Sequence, residues 1–404
     1  MDESIGHFVA LLAVAMLVAI AARRLKLPYT VGLVGVGAAL KFSRLDLGEH
    51  LTHDLVFDLI LPPLLFEAAL ALCWRDLKRD LVPILVFSTV GALAATFFVA
   101  QGMTTLLGWP FAPALVFGAL IAATDPVATI AMFKDNAIHG RLRLLVESES
   151  LMNDGAAAVI FGASLAFAQS GAAPADSRTI MSLLWVVFGG VAIGGICGGL
   201  AILVAGRTSE HVVEAVLTTI TAYGAFISAA YFHASGVLAT VVAGLVMGNL
   251  GVLADDQRSF LTNKGRDFAV SLWEFVAFLA NSVVFLLIGV DLASMPFGAS
   301  EAFAIFVAIG VVLLGRAVTI YPLSLLFART RWAIPMAQQH VLWWGGLRGA
   351  LALALALSLP EGLPLRDEIR VAAFGVVGFS IVVQGLTMPL LLRRLGLMTR
   401  ASEV

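Results

Sequence analysis

The residues able to bind a cation or a proton stand inside stretches that are otherwise apolar. In ESESLMNDGAAAVIF at 147–161, Glu147, Glu149 and Asp154 fall within eight residues and enter an apolar run. At ~100° per residue, Glu147, Ser150 and Asp154 share one helix face, and Glu149 and Asn153 share a neighbouring one. Glu147 reads as the solvated, acidic first turn of a helix. Asp154 does not, because it lies seven residues deeper and is followed by Gly155 and alanines. In AATDPVATI at 122–130, Pro126 removes a backbone donor and clashes with the carbonyl four residues earlier, which opens a helix at Asp125. Freed carbonyls beside a carboxylate make a cation site. A proline kink with Asp125 capping the second half-helix fits the same residues.

Four more ionisable residues lie at the same depth, where each costs ~2.5–3.5 kcal/mol and marks a functional candidate. Glu67, in LPPLLFEAAL, follows a double proline and is placed to reach a cation directly or through water. Arg316, in VVLLGRAVTIYPL, is too deep to reach the surface and demands a buried acid, for which Glu149 is the expected partner. Arg348 stands among Gly345, Gly346 and Gly349 and is expected to stabilise the exposed carbonyl ends of its own broken helix. Glu274, in LWEFVAF, has no partner that the sequence names and is left to a subunit interface or unassigned.

These residues need a membrane fold to position them. Hydrophobic residues make up 60% of the 404 positions and charged residues 13%, far from the soluble-globular balance of about half and a quarter. Net charge is −2, which leaves no field to recruit nucleic acid. No Walker loop, zinc spacing or nucleophile elbow appears, so ATP, a cofactor and an enzymatic site are not expected. Cys73 and Cys197 read as packing residues.

A helix needs about 20 apolar residues to cross the hydrocarbon. Thirteen candidate segments follow: 5–22, 28–40, 55–72, 81–100, 109–133, 147–169, 180–205, 211–230, 236–250, 268–290, 301–327, 334–358 and 368–392. The first is preceded by acids and followed by Arg23, Arg24 and Lys26, the reverse of a cleavable signal, so it is retained with its N-terminus outside. With that orientation 18 basic residues fall in inward loops and the C-terminal tail, against five outward: Lys41, Arg44, Arg178, Arg366 and Arg370. The expected location is therefore the cytoplasmic (inner) membrane, with the C-terminus inside.

Segments two and nine are short and glycine-rich, PYTVGLVGVGAAL and GVLATVVAGLVMGNL. Segments five and twelve are broken, at Thr124–Pro126 and around Arg348. Both pairs are seven apart, and an odd offset sets the mates in opposite directions. The expected fold is all-α and polytopic: inverted repeats over about 1–170 and 208–397, a linker helix over about 180–205, crossed broken helices, and one membrane transport domain over 1–404.

FEAAL at 66–70, ATDPVA at 123–128, ESLMNDG at 149–155, GLRGA at 346–350 and QGLT at 384–387 resemble the sodium/proton exchanger branch of the monovalent cation/proton antiporters, in its NhaP-like group. The resemblance runs through essentially the whole chain. It implies an elevator-like core and a homodimer in membrane lipid. Carried over by motif, Asp154 and Asp125 are the essential acids, and Ser150, the Thr124 carbonyl and Glu67 complete a sodium site. Asn153 occupies a position that is aspartate in the electrogenic branch, which implies one cation exchanged for one proton. Glu149 and Arg316 match the family's interhelical ion pair. Few residues follow Arg394, so no soluble regulatory domain is expected.

Oxygen ligands suit a hard cation, and a carboxyl withdrawn from water holds its proton more tightly. Cation and proton then exclude each other at Asp154. A potassium-preferring exchanger uses the same ligand types, and a cation channel also lines its path with acids.

Overall fold

The computed structural model describes residues 2–25, 28–41, 52–135, 138–170, 177–254, 259–295 and 298–397, and every secondary-structure element among them is helical. Of the loop charges counted above, Lys26, Arg44, Arg258 and Arg400 lie outside the described residues. Each of the thirteen apolar segments is helical, as one helix or as two or three consecutive helical elements. Among the described residues, seven helices are long and apolar enough to cross a membrane on length and composition. The short and broken segments fall outside that criterion and need long neighbours.

Segment two (Tyr29–Lys41) lies on segment ten (Asn263–Ser294), and segment nine (Gly236–Met247) lies on segment three (Leu61–Leu70). Each short segment is thus held by the third segment of the other half, and segment four (Ala92–Leu107) packs on segment eleven (Ala299–Leu326). This reciprocal pairing is the one an inverted repeat produces. The glycines make it possible. A Cβ on Gly289 would stand 2.9 Å from the Ala38 amide nitrogen, and one on Gly244 would stand 3.0 Å from the Phe66 carbonyl oxygen. Small residues of this kind let membrane helices approach backbone to backbone.

Segment five divides into Phe111–Leu120 and Val127–Asp135, and segment twelve into Met336–Trp344 and Ala350–Leu357. The non-helical stretches between the halves meet, with the Asp125 amide donating to the Leu347 carbonyl at 2.8 Å. The fifth segment opens earlier than Pro126 alone requires. Its helix stops at Leu120, because the Ala122 and Ala123 carbonyls turn away from the helix axis to bond Arg348 and Asn153.

The segments differ from expectation in two further ways. Segment six begins at Arg141 rather than 147, where the run RLRLLV extends the helix, with the Arg141 guanidinium held by Asp80 and the Trp332 and Ala333 carbonyls and Arg143 paired with Glu147. Segments three, four, nine and thirteen contain π-helical turns at Leu55–Ile60, Val86–Gly91, Gly248–Val252 and Ser380–Gln384. The first precedes Pro62 and Pro63, which occupy the first turn of the helix that follows, where a missing N–H costs little.

Gly289→Ala is expected to force segments two and ten apart, at a cost of ~1–3 kcal/mol. It should lower the thermal midpoint in detergent, whereas Gly35→Ala, whose added Cβ meets nothing within 4 Å, should not. Equal melting of the two variants would contradict the close-packing role.

Candidate functional site at the helix crossing

The two breaks set four helix ends against one another. The halves beginning at Val127 and Ala350 present their N-terminal, positive ends, and the halves ending at Leu120 and Trp344 present their C-terminal, negative ends. Each end has a counter-charge or a hydrogen-bonding side chain.

Asp125 serves the positive ends. Its Oδ1 accepts from the Val127 amide at 2.9 Å, and Oδ2 lies where a side chain on Gly349 would otherwise be. Gly349 is therefore required for the approach of this carboxylate, beyond its part in breaking the helix.

Arg348 serves the negative end of the other broken segment. Its Nη1 donates to the carbonyls of Ala122 at 2.9 Å and Ala123 at 3.1 Å. This corrects the expectation that Arg348 stabilises its own twelfth segment: the crossing brings the fifth segment's carbonyls nearer than those of segment twelve. The ends of Met336–Trp344 are served instead by Arg316 Nη2 on the Leu342 carbonyl at 3.2 Å and by Gln384 Nε2 on the Trp344 carbonyl at 2.9 Å. Ser380 Oγ accepts from the Arg348 amide and clamps the same stretch.

Arg316 and Glu149 form a two-pronged ion pair, Nη1 to Oε1 at 2.8 Å and Nη2 to Oε2 at 2.9 Å. Both residues are buried, 7% and 3% exposed. A Cβ on Gly346 would stand 2.7 Å from Arg316 Nε, so this second glycine makes room for the guanidinium.

The segment-six face differs from the expected one. Asp154, Leu151 and Glu147 line a cavity of about 850 Å³ together with Thr124, Asp125 and Glu67. Ser150 sits behind it, with its hydroxyl donating to the Thr124 carbonyl at 2.5 Å and lying 2.9 Å from Thr124 Oγ1. Its position on the helix is intermediate between the two faces, and the hydroxyl turns toward the opened backbone. Asn153, 1% exposed, donates through Nδ2 to the Ala122 carbonyl at 2.8 Å and to Thr124 Oγ1 at 3.1 Å. An amide nitrogen only donates. Asn153 therefore orients the Thr124 hydroxyl toward Ser150, and the Ser150 hydroxyl toward the Thr124 carbonyl.

The structure thus brings Asp154, Asp125 and Thr124 to one cavity, with Ser150 and Asn153 bonded to the stretch that forms its wall. Asp154 lies in the fields of Asp125, Glu149 and Arg348. Glu67 lies on the same cavity among Lys134, Glu147, Glu274 and Arg143, on the side where segments five and six have their basic ends. Glu147 pairs with Arg143 at 3.4 Å. Glu274, unassigned from sequence, lines this cavity. Its signal in the sequence is a lone acid in a long apolar run, and only the fold shows which way it faces.

Two carboxylates and an opened backbone gathered on one cavity, where two broken membrane helices meet, define an ion-transport membrane protein. The model for the transmembrane part of sodium/hydrogen exchangers matches residues 10–394, and the chain belongs to that family. It is 36% identical over 98% of its length, and 75% of the relative's, to the Na(+)/H(+) antiporter ApNhaP of Aphanothece halophytica. It is 38% identical, with the same coverages, to the low-affinity Na(+)/H(+) antiporter NhaS1 of Synechocystis. Its fold is similar to that of the sodium proton antiporter MjNhaP1 of Methanocaldococcus jannaschii, with a TM-score of 0.75 over 97% of this chain and 98% of that one at 19% identity.

Arg316→Ala strands Glu149 in the interior and is expected to cost ~3–5 kcal/mol. Replacing both partners by apolar residues, Arg316→Met with Glu149→Leu, should recover most of that stability. Thermal unfolding in detergent would show it, and a double variant no more stable than Arg316→Ala would contradict the pairing argument.

Proposed function

We propose that this chain is an electroneutral sodium/proton antiporter, a secondary active transporter that exchanges one cation for one proton across the cytoplasmic membrane. The observation that carries the reading is the charge balance at the crossing. Asp125, Asp154 and Glu149 face Arg316 and Arg348, so the ionised cluster is one negative charge in excess. One proton on Asp154 neutralises it. One sodium ion held by Asp154, Asp125 and the Thr124 carbonyl, with Ser150 behind and Glu67 along the approach, does the same.

Both loaded forms then carry the same charge through the low-dielectric interior, and the empty form carries the excess. That difference opposes movement of the empty site and couples the two ions. Asn153 supports the one-for-one ratio, because an ionised group in its place would add a further charge. Sodium is taken as the cargo because the relatives above carry it in their names.

The cavity's lining includes Lys134 and Arg143, which the positive-inside rule assigns to the cytoplasm, and this conformation reads as inward-facing. Reciprocal packing of the two halves and the long helix Ser177–Ala205 between them support inverted repeats joined by a linker, with alternating access by movement of the crossed helices. A homodimer is the expected assembly.

Asp154→Asn is expected to fold and to abolish sodium-driven proton movement in vesicles that report pH by dye quench. Wild-type exchange should be unaffected when the membrane potential is clamped at different values. Exchange surviving in Asp154→Asn would remove the competition mechanism, and a rate that follows the potential would remove the one-for-one ratio.

A further inference from the structure

Glu274 is an exposed carboxylate in the interior of the 32-residue helix Asn263–Ser294. Among the described residues no cation forms an ion pair with it. A charge at that depth is tolerated where water reaches it, and Glu274 lines the cavity that leads to Asp125 and Asp154.

Its position is fixed. The preceding residue, Trp273, is 1% exposed, donates through Nε1 to Thr218 Oγ1 at 2.9 Å, and packs on Phe66 with ring centroids 4.7 Å apart. Phe66 immediately precedes Glu67. The tilted ring contact therefore ties the helices that carry Glu67 and Glu274, which line the same cavity in each other's field. On the same cavity, Arg143 is occupied by Glu147 at 3.4 Å, and Lys134 is the remaining basic lining residue among those described. Two carboxylates against one lysine leave the approach negative.

We propose that Glu274 is a cation-steering residue of the transport path: it raises the local sodium concentration in the open cavity without touching the ion in its final site. This rests on the antiport reading. Loss of one charge at about 10 Å in a water-filled cavity weakens cation capture about two- to fourfold, and salt screens the effect over a similar distance.

The test is sodium-dependent proton movement by Glu274→Gln in everted and right-side-out vesicles, at low ionic strength and with added choline chloride. The expected result is a two- to fourfold rise in KM for sodium in one vesicle orientation only, with Vmax kept. The rise should shrink in choline chloride, and Glu274→Asp should restore the wild-type KM. An unchanged KM, or a rise equal in both orientations and insensitive to salt, overturns the steering role. A wild-type chain that moves no protons in response to sodium would instead overturn the antiport reading itself.

Discussion

Backbone amides and carbonyls at membrane depth must be satisfied inside the protein, because lipid offers no hydrogen bonds. Two interrupted helices crossing each other expose four sets of such groups in one place. Arg348 is spent on the Ala122 and Ala123 carbonyls, Gln384 on Trp344, Asn153 on Ala122, and Ser150 on Thr124. Even the glycines follow from this need, since Gly346 and Gly349 clear space for Arg316 and Asp125.

The same constraint explains why the site carries charge of both signs. Guanidinium groups that neutralise carbonyl ends need acids to offset them, and Glu149 supplies that to Arg316 in two-pronged geometry. Such a buried pair contributes little net stability but costs much when one partner is lost. Once Glu149 is committed to Arg316, Asp125 and Asp154 face Arg348. A structural requirement of the backbone thereby sets the charge left over at the crossing.

Most of the architecture is legible in the sequence, because hydrocarbon thickness and the position of polar interruptions are one-dimensional properties. The broken segments at Asp125 and Arg348 follow from proline and glycine, and the reciprocal pairing follows from short segments seven apart. An acid partner for Arg316 is legible too, since few buried acids are available. What depends on the crossing is not. Arg348 reaches carbonyls more than 200 positions away in sequence, which no local reading of GLRGA reveals. Ser150 lies at the boundary between two helix faces, and an ideal 100° step cannot decide which way it turns. Glu274 becomes interpretable only when Trp273 is seen on Phe66.

The π-helical turns carry a further consequence. They fall in segments three, four, nine and thirteen, whereas the segments seven positions away, ten, eleven, two and six, are continuous α-helices among the described residues. Two halves of identical backbone would make the inward- and outward-facing arrangements degenerate, each the mirror of the other in energy. Unmatched extra residues in the helical turns lift that degeneracy, because the same rearrangement meets different backbone hydrogen bonding in each half. For the alternating access proposed above, the two end states then differ in energy through helix winding, independently of either ion.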